Sequence, residues 1–75
     1  AEAQEIVNKT LAGLPEQTRA VFVMSRYENK SHKEIAEALG ITPKGVEYHI
    51  SKALKKLHTN LKDYYPVFLY LFYIN

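Results

Sequence analysis

Glu47, Tyr48 and Ser51 lie three, four and seven residues after Lys44, so on a helix the four side chains share one face. Together they offer a cationic donor, a carboxylate acceptor, a phenol and a hydroxyl. That set suits the edges of nucleic-acid bases. Lysine reaches the O6 and N7 acceptors of guanine, and glutamate accepts from the N4 amine of cytosine. Tyrosine meets the thymine methyl or offers its hydroxyl, and serine bonds to either kind of edge. Lys52 and Lys55 continue the face by further turns, where phosphate is the expected partner. Lys33 and Thr42 join them as phosphate contacts, each at the start of a predicted helix, where free N–H groups and the dipole favour an anion. Arg19 is a further phosphate candidate with two structural alternatives. One is an exposed pair with Glu16 across one turn, of small energetic weight; the other is a bond to the third helix.

Plainer readings stand beside these. Lysines along a helix ordinarily form a solvated face, and Glu47 would be repelled by a polyanion unless it met a cytosine amine. The charge distribution favours the sharper reading. Residues 1–41 carry five basic and six acidic side chains, a net of −1, whereas residues 42–62 carry five lysines against Glu47 alone, a net of +4. An excess confined to one segment is expected of a chain that meets a polyanion along one element.

The elements that must position these residues are read from periodicity. Ala3, Ile6, Val7, Thr10, Leu11 and Leu14 form one apolar stripe, which predicts a first helix ended by Gly13. Pro15 is expected at the first position of a second helix, with Thr18, Val21, Phe22 and Ser25 on one face and Met24 nearby. That helix should stop between Tyr27 and Lys30. Ser31 and Glu34 have the spacing of a capping box, opening a short third helix that turns Ile35, Ala36 and Leu39 inward. Gly40 suits the left-handed position after it. Thr42 and Pro43 then read as N-cap and N1 of a fourth helix, whose Val46, Ile50, Ala53, Leu54, Leu57 and Leu61 face inward.

A short capped helix, a glycine-containing turn and a longer basic helix make a helix-turn-helix over residues 31–57. The N-terminal end of its second helix is the part that enters a major groove. The segment LPEQTRAVFVMSRYENKSHKEIAEALGITPKGVEYHISKALKKL resembles region 4 of bacterial sigma factors, particularly the extracytoplasmic-function group. The matching residues are Leu14-Pro15, Arg19, Val21-Phe22, Glu34-Ile35-Ala36, Ile41-Thr42 and Val46, and the match covers roughly residues 11–61. Gly45 departs from it, because the family usually carries threonine there. The resemblance implies recognition of the promoter −35 element as double-stranded DNA by a domain bound to core RNA polymerase. It also implies an apolar groove for the polymerase flap, an anti-sigma factor as regulator, and a longer protein of which this chain is a fragment. The response-regulator output domain is the nearest alternative. It shares the Glu-Ile-Ala helix and the Val46 to His49 spacing, but usually opens without Leu-Pro and Val-Phe. A protein-interaction bundle without DNA binding is a third reading.

Other chemistries find little support. Cysteine is absent, so thiolate metal sites and disulfides are excluded. His32, His49 and His58 lack the spacing that would set two on one helical face as ligands; His49 reads as half-buried beside the inward stripe or as a phosphate contact. No nucleophile–base pair or glycine-rich phosphate loop is seen, so neither an enzyme nor a cofactor is expected. Seventy-five residues allow one small domain. No signal peptide is visible, and the longest apolar run, Val67 to Ile74, is too short to span a bilayer. A cytoplasmic protein without membrane insertion is the expectation.

The expected fold is therefore all-α, a four-helix domain over residues 1–63, followed by an aromatic tail over residues 64–75. That tail holds six of the nine aromatic side chains and no charge. Packing back onto the domain, binding a partner or second copy, and a disordered aggregation-prone end are its three readings.

Overall fold

The computed structural model describes residues 2–62, which form four helices: α1 (Glu2–Ala12), α2 (Glu16–Arg26), α3 (His32–Leu39) and α4 (Pro43–Leu61). The tail over 64–75, its expected packing or self-association, and the expected domain end at residue 63 lie outside the described residues.

The long α4 is the spine, and the core divides along it. Its C-terminal half sets Ala53, Leu57 and Leu61 against Val7, Leu11 and Leu14 and against Phe22 of α2. Its N-terminal half sets Val46 and Ile50 against Val21 of α2 and Ile35 and Ala36 of α3. Leu54 packs against both clusters. The first three helices each have too short an apolar stripe to bury alone, so α4 gives them a common surface. Thr18, Val21, Phe22 and Ser25 are the buried residues of α2, the face expected from the three- and four-residue spacings.

Local signals set the helix ends. In the capping box before α3, the Ser31 N–H donates to Glu34 Oε1 at 2.8 Å and the Glu34 N–H donates to Ser31 Oγ at 3.1 Å. The Ser31 backbone N–H, then the Ser31 hydroxyl, hold the Glu34 carboxyl below the usual carboxylate range, with nearby Lys30 adding to the effect. Gly40 closes α3 in the left-handed conformation, φ 68° and ψ 34°. The next N–H, of Ile41, donates to the Ala36 carbonyl at 3.0 Å, a Schellman closure. Thr42 caps α4 by accepting from the Gly45 N–H at 3.0 Å. Pro15 differs by one position from expectation: it is the N-cap of α2, with ψ 147°, and the helix begins at Glu16 without a side-chain cap. Proline's fixed φ fits either position, and its carbonyl accepts the first helical bond, from the Arg19 N–H at 2.9 Å.

Candidate nucleic-acid interface

Three tight residues, Gly40 to Thr42, separate α3 from α4, and the left-handed Gly40 turns the chain so that both helices share one apolar angle. Ile35 and Ala36 fill it from α3, Val46 and Ile50 from α4, with half-buried Leu39 and Ile41 packed around them. With that side of α4 committed inward, Lys44, Glu47, Tyr48, Ser51, Lys52 and Lys55 are all exposed. The sequence placed these six on one outward face, and the structure brings them together there.

The exposed face is partly ordered by its own contacts. Tyr48, 59% exposed, has the Lys52 Nζ 5.7 Å from its ring centroid, a cation–π arrangement one helical turn apart. Lys33 stands exposed in the first turn of α3, and Thr42 is exposed at the start of α4. The Thr42 oxygen already accepts from Gly45, which leaves its O–H free to donate to an anion. A Cβ on Gly45 would come within 3.3 Å of that oxygen. A side chain here would require the cap hydroxyl to give by a few tenths of an ångström.

Arg19 lies elsewhere. Half-buried, it donates through Nη1 to the carbonyls of Ala12 at 3.3 Å and Leu14 at 3.4 Å. It thus covers the end of α1, whose last carbonyls have no helical partner, and neither the Glu16 pair nor a bond to α3 forms. His49 is half-buried beside the inward stripe, as one of its two readings held, with Nδ1 2.9 Å from Thr18 Oγ1.

Two concave basic surfaces were not read from the sequence, although Lys52 and Lys55 of the first were. A groove of about 310 Å³ runs between Gly13, Leu14 and Pro15 and the α4 residues Lys52, Lys55, Lys56 and Thr59. A polar pocket of about 350 Å³ lies between the end of α2 and the start of α3, lined by Ser25, Arg26, Asn29, Lys30 and His32. Its Arg26 sits 5.8 Å from the Phe22 ring centroid, and the buried Nε has no hydrogen-bond partner among the described residues. Burial pushes the Arg26 pKa down. Arg26 and Lys30 at helical spacing were the available signal, but a loop with Asn29 at φ 54° brings them together. Among the described residues no cluster of three or more potential ligands could hold a metal ion. No helix there is long and apolar enough to cross a membrane.

Comparison with known proteins agrees with this geometry. The family model described as sigma-70, region 4 matches residues 4–57, which takes in most of α1, all of α2 and α3, and most of α4. RNA polymerase sigma factor SigF of Mycobacterium tuberculosis, found in two strains, is 32% identical over 62 residues. The alignment covers 83% of this chain and 22% of each relative, so the chain spans about a fifth of the relatives' length. No solved structure matches.

Proposed function

Because the chain belongs to the sigma-70 region 4 family, we propose that it reads the −35 element of a promoter as double-stranded DNA during transcription initiation. The family is a DNA-binding transcription-factor domain and not an enzyme, and membership sets aside the response-regulator output domain. The observation that carries the proposal is the exposed, acid-poor face of α4, opened by the left-handed Gly40 and backed by the apolar side of the same helix. Lys44 and Ser51 are the foremost base contacts, with Glu47 and Tyr48 beside them at the end of the helix that enters the groove. Lys52, Lys55, Lys33 and Thr42 bind phosphate and set the register. Arg19 enters this reading as the clasp on α1 rather than as a phosphate ligand.

Core RNA polymerase is the proposed partner, with its flap held in an apolar groove, and the cytoplasm the proposed location. The extracytoplasmic-function group is the proposed subgroup, resting on the Leu14-Pro15, Arg19 and Val21-Phe22 spacing; an anti-sigma factor is the regulator that group implies. Selection of bound duplexes from a random pool tests the reading, using this chain within its full-length protein on core polymerase. One enriched motif upstream of transcription start sites is the expected result, with its preference altered by Lys44→Ala. A correctly folded holoenzyme that enriches no motif would overturn it.

A further inference from the structure

One contact ties the exposed face of α4 to the buried scaffold. Thr18, on the first turn of α2, is 1% exposed, and its Oγ1 lies 2.9 Å from His49 Nδ1. Whether the hydroxyl donates or accepts follows the imidazole tautomer; in both cases the bond fixes the ring against a rigid helix. The ring of Tyr48 meets this imidazole edge-on, with centroids 5.2 Å apart and planes at 72°. An aromatic residue on a helix ordinarily chooses between two χ1 wells, and an exposed one has little packing to decide the choice. Here a buried hydroxyl orients an imidazole, and the imidazole supports the phenol.

We propose that His49 is a specificity-determining positioning residue: held by Thr18, it presents the Tyr48 ring to one base pair in a single, prearranged direction. The consequence for DNA rests on the promoter reading above, whereas the ring contact does not. An anchor of this kind lowers the ordering needed on binding, which for one side chain corresponds to about two- to tenfold in affinity. It acts only where Tyr48 touches a base, so non-specific binding, driven by phosphate contacts, is left unchanged.

The test uses Thr18→Val, which removes the hydroxyl at nearly constant shape, and Thr18→Ser, which keeps it, each placed in the full-length protein on core polymerase. The measured quantity is the affinity ratio between the selected duplex and one altered at the base pair facing Tyr48. Thr18→Val is expected to lower this ratio about two- to tenfold while affinity for an unrelated duplex holds, and Thr18→Ser to preserve it. In a Tyr48→Ala background Thr18→Val should have no further effect. An unchanged ratio, or an equal loss in that background, overturns the proposal. His49→Ala, at a half-buried site, is the second variant should Thr18→Val not fold, with the same expected loss. If the holoenzyme carrying the unmodified chain prefers no sequence, the promoter reading has failed, and proton NOEs between the Tyr48 and His49 rings in the chain without DNA decide the matter. Their loss in Thr18→Val upholds the positioning role; their persistence ends it.

Discussion

Asn60 Nδ2 donates to Thr10 Oγ1 across 2.7 Å, joining the last turn of α4 to the buried face of α1 over a separation of fifty positions. The two ends of this bond are unequal. Thr10 is 6% exposed, while Asn60 is open to water. Removing the asparagine side chain leaves a buried hydroxyl unpaired, at about 1–3 kcal/mol, whereas removing the hydroxyl costs only the net bond, about 0.5–1.5 kcal/mol. Asn60→Leu is therefore expected to destabilise more than Thr10→Val in urea melts, with base preference unchanged in both. Equal losses would mean that water already satisfies Thr10.

Gly40 carries the bend on which the interface depends. Nothing lies within 4 Å of a Cβ built there, so the penalty of a side chain is one of backbone conformation alone. Gly40→Ala should lose about 1–2 kcal/mol, and Gly40→Asn less, since asparagine tolerates the left-handed region. A thermal melt registers each kcal/mol as roughly 4–8 °C in a domain of this size. Equal midpoints for glycine and alanine would contradict the left-handed assignment.

The capping box predicts a pH signature. Glu34 bonds to the Ser31 N–H as a carboxylate, which depresses its folded pKa. A depressed carboxylate stabilises the fold fully above its unfolded pKa, and that contribution disappears as pH falls through the lower folded value. The stability advantage over Glu34→Gln should thus be constant near neutrality and shrink in acid, below the ordinary glutamate pKa of about 4.3. Ser31→Ala, which removes the reciprocal bond, should cost about 1 kcal/mol at pH 7. Chemical denaturation from pH 7 down to 3 measures both; an advantage that grows in acid would refute the assignment.

Lysines on α4 divide by the kind of contact proposed for them. Lys52→Ala and Lys55→Ala should each lower the slope of log affinity against log salt by about 0.9 without changing which duplex is preferred. Lys44→Ala should instead cost about 1–3 kcal/mol of discrimination at one base pair. Fluorescence anisotropy over a salt series separates the two. A Lys44 variant that loses affinity equally for all duplexes would reassign that lysine to phosphate.

Local chemistry was legible from residue order alone. Helix periodicity, the Ser31–Glu34 box, the Gly40 turn and the Thr42 cap each arise among residues within about four positions of one another. The outward face from Lys44 to Lys55 followed once the apolar stripe of α4 was read, because a helix leaves one side for what the other excludes. The Pro15 boundary slipped by one residue for the same reason in reverse: proline's fixed φ suits N-cap and N1 alike, so residue order did not separate them. Thr18 to His49, Asn60 to Thr10 and Arg19 to the Ala12 and Leu14 carbonyls could not be anticipated in the same way. Polar partners at long range are selected by which helix faces are pressed together, and hydrophobic burial is non-directional. Only the packed arrangement of α1 and α2 on α4 decides which hydroxyl an imidazole or amide finds.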